Sequence, residues 1–328
     1  MLLRVQHETK LTYTQDVSET VFEARMGPPS EEDQTCLGYR LRITPSAPVT
    51  VYQDGFFNRV DLFNIYRPYR ELLIRATSVV RTHRAAGEPR LAEVPFDPEA
   101  DEFQAVEALE YRLPSKLVNQ SPEMSAFLEA IPRPSGSLLD AVQQLADATR
   151  ARLVYEKKVT SARTPVSEAL ALGRGVCQDF AHLFLGACRG FGLAARYVSG
   201  YIHEPGEIAT HAWCQVWAGR NGWVDVDPTR GHIVDDDYVR IALGRDYLDV
   251  PPNRGIYRGR AEESISVAVK VEPISRVPTD WGEWSERSEA PWSAASWIQS
   301  GRQAPRGRMS QMQSQSNFRQ QQGQQQQS

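Results

Sequence analysis

Apolar and polar positions alternate along much of the first 90 residues. Leu3, Val5, His7, Thr9, Leu11 and Tyr13 occupy every second position, and Tyr39, Leu41 and Ile43 do the same. Leu72 to Val80 is a further run rich in apolar and β-branched residues. A period of two marks strands with one buried face. Gly27-Pro28-Pro29-Ser30 and Gln53-Asp54-Gly55 supply turn chemistry between these runs. The pattern predicts an antiparallel β domain over 1–90. Seven prolines between Pro89 and Pro134 break any long element, so 91–134 reads as a connecting segment with short helices.

From Ser137 the period lengthens. Leu138, Leu139, Val142, Leu145, Ala146 and Ala148 recur at helical spacing up to about Leu153. A second helix is expected over Val166 to Leu172. A third runs from Cys177 to Arg189, with Phe180, Leu183, Phe184 and Ala187 on one face and Gly190 and Gly192 ending it. Strands follow over 194–202, 210–217 and 223–227, and Ile265 to Val271 closes the series with near-strict alternation. Helices then strands predict an α+β core over 135–273. Residues 274–328 form a Trp- and Gln-rich tail. Its last 28 residues, 301–328, hold eleven Gln and no acidic side chain. So little apolar surface cannot offset chain entropy, and disorder is expected there.

Composition narrows the function classes. The chain of 328 residues has 37 Lys and Arg against 41 Asp and Glu, a net charge of −4. Nucleic-acid binders show the opposite excess, concentrated on one face, so no nucleic-acid partner is expected. No apolar stretch reaches the roughly 20 residues needed to span a bilayer, and Met1 to His7 turns polar too early for a secretory leader. Four cysteines are too few for a disulfide framework in a chain this long. Free thiols, a reducing cytoplasm and no membrane partner are the expectation.

Two segments carry candidate chemistry. Gly173-Arg174-Gly175-Val176-Cys177-Gln178-Asp179 places a cysteine where a glycine loop meets a helix start. Unpaired N–H groups and the helix dipole there favour thiolate over thiol, and the thiolate is the nucleophile of cysteine enzymes. His211-Ala212-Trp213-Cys214-Gln215-Val216-Trp217 and Trp223-Val224-Asp225-Val226-Asp227-Pro228-Thr229 read as a hairpin. A three-residue loop centred on Gly219 sets His211 directly opposite Asp227, and a five-residue loop sets the pair on a diagonal. Either places both side chains on one face, Cβ atoms roughly 4.5–8 Å apart, which suits a base and its orienting carboxylate. An even-length loop separates them.

The order Cys, His, Asp, with Gly-Val-Cys-Gln-Asp-Phe-Ala-His (175–182), Ala-Arg-Tyr-Val-Ser-Gly-Tyr (195–201), His-Ala-Trp (211–213) and Asp-Pro-Thr (227–229), resembles the transglutaminase-like superfamily. Asp54-Gly55-Phe56-Phe57-Asn58 and Gly244-Arg245-Asp246-Tyr247-Leu248-Asp249-Val250-Pro251-Pro252 resemble blocks of its bacterial branch, which carries an N-terminal β domain. The resemblance covers roughly residues 1–273. It implies a papain-like core with Cys177 as nucleophile, His211 as acid and base, and Asp227 as orienter. One departure is Asp-Pro-Thr-Arg where Asp-Pro-Thr-Asn is more usual. The implied reaction is acyl transfer or hydrolysis at a glutamine or peptide amide through a thioester, with no cofactor. The implied partner is a protein or peptide bearing a reactive amide. A cysteine peptidase of the same fold is the nearest alternative, and a catalytically silent scaffold is one of another class.

Other residues have plainer readings. Cys188 and Cys214 read as small core residues, and Cys36 carries no signal. A zinc site from Cys177, His182, His211 and Cys214 fits no compact ligand spacing. His182 reads as a hydrogen-bonded structural histidine and Asp179 as a complement to the helix start. Trp213, Trp217 and Trp223 share the face of His211, where packing and a wall or donor for the acyl group are both open. Trp281, Trp284, Trp292 and Trp297 fall in the tail.

Overall fold

The computed structural model describes residues 1–84, 87–204, 210–278 and 298–299. The expected disorder and tryptophans of 279–297 and the glutamines of 300–328 lie outside the described residues. The structure is α+β.

The first layer is an eight-stranded sheet. Its axis is β1 (Leu2–Ala24), and around it stand β2 (Gln34–Thr44), β3 (Val49–Gln53), β4 (Arg59–Ile65) and β5 (Tyr69–Thr82). The amino-terminal half of β1 pairs antiparallel with β5, and its carboxy-terminal half pairs with β4. Register shifts between Thr12 and Val17, where the strand turns from one partner to the next. Such an irregularity bends a strand and lets one long element serve two sheet halves. Leu3, Val5 and Leu11 are buried as the alternation predicts.

Short helices follow: α1 (Gly87–Ala92), α2 (Val106–Leu109) and α3 (Pro122–Glu129). Ser121 caps α3 by accepting the Met124 N–H, with Pro122 in the first turn. Then come α4 (Leu138–Arg152), β6 (Val154–Tyr155), α5 (Val166–Leu172), β7 (Arg174–Gly175) and α6 (Cys177–Gly190). Ser137 and Asp140 form a reciprocal capping box at the start of α4. Phe180, Leu183, Phe184 and Leu185 of α6 are buried in the main core, each contributing about 1.5–3 kcal/mol through removal from water.

The second sheet has the order β11-β10-β9-β8-β12, built from β8 (Ala195–Ile202), β9 (Thr210–Trp217), β10 (Trp223–Asp227), β11 (His232–Ile233) and β12 (Tyr238–Gly244). Then β13 (Asn253–Arg258) and β14 (Glu263–Pro273) return to β1. The alternating run Ile265 to Val271, assigned from its place in the chain to the core over 135–273, thus pairs with the amino-terminal sheet. A two-residue strand, β15 (Ile298–Gln299), pairs antiparallel with β14.

The two layers meet through polar contacts. Asn58 donates to the Leu243 carbonyl at 2.8 Å and accepts its N–H at 2.7 Å, while Asp54 accepts the N–H groups of Phe56 and Asn58. The Asp54–Asn58 block is therefore a turn that clamps the first sheet onto β12. His7 is buried between Tyr201 and Thr9, hydrogen-bonded to both.

Candidate active site

Cys177 is the first residue of α6, at the end of a loop built by two glycines. Gly173 closes α5 at φ 68°, a conformation that side chains with a Cβ rarely adopt. Gly175 lies so close to Asp179 that a Cβ would stand 2.5 Å from its carboxylate. Asp179 accepts the Val176 N–H at 2.8 Å and the Thr160 hydroxyl at 2.6 Å, tying down the turn before the cysteine. Burial raises the pKa of this carboxyl. Its expected role at the helix start is what the geometry shows.

His211 is the second residue of β9 and Asp227 the last of β10. Trp217 pairs with Trp223 and Val226 with Cys214, so the connecting loop is the five residues 218–222 and His211 and Asp227 stand on the diagonal. His211 Nε2 lies 2.6 Å from Asp227 Oδ2. The Cys177 thiol lies close enough to the same ring to raise its pKa, and Nδ1 is the nitrogen that Asp227 leaves free. Both His211 and Asp227 are buried, and Cys177 is half-buried.

The two oxygens of Asp227 do different work. Oδ1 accepts the N–H groups of Thr229 at 2.9 Å and Arg230 at 3.2 Å, so the carboxylate turns its own chain across Pro228. Oδ2 accepts from the Tyr238 hydroxyl at 2.8 Å beside the imidazole. Burial would raise the pKa of this carboxyl, but His211, Tyr238 and the Arg230 N–H outweigh it and hold it below the usual range. Burial would likewise lower His211, but hydrogen bonds to Asp227 and Cys177 and their charges lift it to about 10. The imidazole is therefore protonated at neutral pH.

Tyr238 and Arg230 are contributors that pattern reasoning missed. Tyr238 lies in β12, eleven residues beyond Asp227, with no spacing that would mark it. Arg230 is the residue that departs from Asp-Pro-Thr-Asn. Its Nε stands 3.6 Å from Asp227 Oδ2, while its Nη atoms bind both oxygens of Glu204 at 3.2 and 2.6 Å.

Asp225 shares the face of Asp227 but has another task. It accepts the Trp213 indole N–H at 2.6 Å and the Gln215 amide at 2.9 Å. Arg240 approaches it at 3.6 Å and Arg84 at 3.9 Å, and both arginines also bind Asp33 of the first layer. Trp213 thus spends its indole N–H on Asp225, and Trp217 donates to the Glu102 carbonyl at 2.9 Å. Trp223 lies under the Arg196 guanidinium, 4.1 Å from its centroid. These contacts are packing roles.

The remaining candidates separate from the site. Cys214 faces α6, its Sγ 3.5 Å from the Ala181 carbonyl, and Cys188 is buried beside it in the core. Burial pushes both thiols up. His182 Nε2 accepts the Tyr247 N–H at 3.2 Å, and burial lowers this imidazole to about 4. Among the described residues no group of three or more His, Cys, Asp or Glu is placed to hold a metal ion, and no helix is long and apolar enough to cross a membrane.

Comparisons with known proteins agree with this architecture. Residues 125–228 match the transglutaminase-like superfamily, and residues 3–81 match the bacterial transglutaminase-like N-terminal region. An uncharacterised protein of Mycobacterium tuberculosis strain H37Rv is 32% identical over 306 residues, covering 83% of this chain and 92% of its own. A Mycobacterium leprae protein is 31% identical over 282 residues, covering 83% and 99%. A candidate cysteine protease from Cytophaga hutchinsonii has a similar fold, with a TM-score of 0.68 at 21% identity over 85% of this chain and 93% of that one. With a helix-borne cysteine, a hairpin-borne histidine and this N-terminal layer in place, the chain belongs to the bacterial branch of the transglutaminase-like superfamily, whose core is a cysteine-based catalytic fold.

Proposed function

We propose that the chain is a thiol enzyme acting on an amide through a thioester, with Cys177 as nucleophile, His211 as acid and base, and Asp227 as orienter. The 2.6 Å contact from His211 to Asp227, with Cys177 near enough to raise the pKa of the same ring, carries this reading. The Cys177 sulfur attacks the amide carbon, and the carbonyl electron pair moves onto oxygen. Free N–H groups of the first α6 turn, that of Cys177 foremost, face this charge. Protonated His211 gives its proton to the leaving nitrogen as the carbon–nitrogen bond breaks, leaving the acyl group on sulfur. A water molecule or amine then attacks the thioester, His211 takes its proton, and the thiolate departs.

The amide is a glutamine side chain or a peptide bond, and the products distinguish the two. Ammonia release with incorporation of a primary amine marks acyl transfer, whereas new peptide termini mark proteolysis. The fold shared with the Cytophaga hutchinsonii protein supports testing the peptidase outcome alongside. Iodoacetamide labelling across pH tests the common step. Position 177 reacting well below pH 8.5, and losing that reactivity in His211→Ala, supports the reading. A rate curve like that of an ordinary thiol sinks it and leaves a silent scaffold.

A further inference from the structure

The loop between β6 and α5 borders the first turn of α6. The Glu156 N–H donates to the Gly175 carbonyl at 2.9 Å, and the Gln178 amide reaches the Ser161 carbonyl at 3.5 Å. Thr160 binds Asp179, and the Tyr155 ring lies 6.2 Å from Phe180. These ties anchor the loop to the residues on either side of Cys177.

This rim is basic in an acidic chain. The loop of residues 156–165 holds Lys157, Lys158 and Arg163 against Glu156, a local excess of two positive charges in a chain of net −4. Lys157, Lys158, Arg163 and Arg174 are all exposed. Arg174 is paired with Glu156 at 3.0 Å. Lys158 and Arg163 meet no carboxylate among the described residues. Across the site, the Arg230 cation is already neutralised by Glu204. Uncompensated positive charge is thus concentrated on one flank of the nucleophile.

We infer that the acyl donor is an acidic peptide, whose Asp or Glu side chains beside the reacting amide lie along the Lys157–Arg163 rim. This rests on the proposed chemistry at Cys177 and names its substrate class. The loop is tied to residues on both sides of Cys177, so a chain presenting a carbonyl to the sulfur meets it. Two cations, Lys158 and Arg163, facing two carboxylates raise both encounter rate and binding.

The test compares glutamine-containing peptides with Glu, neutral or Lys flanks, in the full-length protein and in the K158Q/R163Q variant. Both substitutions are on exposed side chains and leave the triad intact. The expected result is a preference for acidic over basic flanks of about tenfold in kcat/KM at low salt, reduced by added salt and reduced in the variant. Equal turnover of the peptides, or a preference that survives the substitutions, overturns the inference. If no peptide of any charge forms an adduct at position 177, the catalytic reading fails instead. The rim is then judged by labelling Cys177 with anionic iodoacetate against neutral iodoacetamide. A rate ratio that falls in the variant supports the inference, and an unchanged ratio overturns it. Binding of a single-stranded oligonucleotide at this rim, with acidic and basic peptides reacting alike, assigns the charge to nucleic acid and also overturns it.

Discussion

His211 and Asp227 approach to 2.6 Å although they stand on a diagonal of the β9–β10 hairpin and not directly across it. In this register the position across from Asp227 belongs to Trp213, whose indole is held by Asp225. The two carboxylates of β10 are thereby separated in role, one facing the imidazole and one holding the tryptophan.

That separation predicts different outcomes for two similar substitutions. Asp227→Asn keeps an oxygen for the Thr229 and Arg230 N–H groups but cannot hold the imidazole in the same state. Activity is expected to fall by about 10²–10⁴. Asp225→Asn removes charge beside Arg240 and Arg84 in a buried network, so about 1–3 kcal/mol of stability should be lost with a smaller change in rate. Denaturant titration alongside kcat/KM for both variants checks this, and equal effects on activity would refute the assignment.

Cys177→Ala should abolish every covalent adduct while leaving the fold intact, because the thiol is half-buried and its removal opens little space. The same change should lower the pKa of His211, since Cys177 contributes to holding it near 10. NMR titration of the imidazole reads the shift directly.

The raised pKa of His211 also predicts how stability depends on pH. The folded value of about 10 exceeds the ordinary 6.5, so the folded protein binds this proton more tightly. The contribution is fully present below about pH 6.5, declines above it and is gone past about pH 10. Wild type and His211→Gln should therefore differ most in stability in mildly acidic buffer and converge in alkali. Measuring both by urea unfolding at several pH values tests the sign.

Arg230 and Tyr238 adjust the same carboxylate. Replacing Arg230 with Asn removes a cation 3.6 Å from Asp227 Oδ2, which leaves the carboxylate's field on His211 stronger. The imidazole pKa should rise, and Arg230→Lys should restore part of the wild-type value. Tyr238→Phe removes one donor to Oδ2 and should shift the imidazole in the same direction. A merely structural role for either side chain would change the melting temperature without moving the His211 titration.

The local chemistry was legible because it depends on neighbours along the chain. Helical spacing over 138–152 and 177–189 placed Cys177 at a helix start, and alternation around an odd-length loop put His211 and Asp227 on one face. The choice between a three- and a five-residue loop was not legible. Both satisfy the same alternation, and the five-residue form is reached through a short helical turn over Gly219–Asn221. The Asp54–Asn58 block could be recognised, but its reason, a clamp on Leu243, joins residues 185 apart.

From the sequence alone came the α+β class, the amino-terminal β layer, the helix start that bears Cys177 and the hairpin that bears His211 and Asp227, since periodicity, turn chemistry and helix-start electrostatics act over a few residues. Tertiary structure alone decided that Ile265 to Val271 joins the first sheet, that Tyr238 and Arg230 share the Asp227 carboxylate, that the tryptophan N–H groups of 213 and 217 are spent on packing contacts, and that a basic loop rims the cysteine. Each of these depends on which distant backbone or charge is brought alongside, and that follows from the burial of the whole chain rather than from any local pattern.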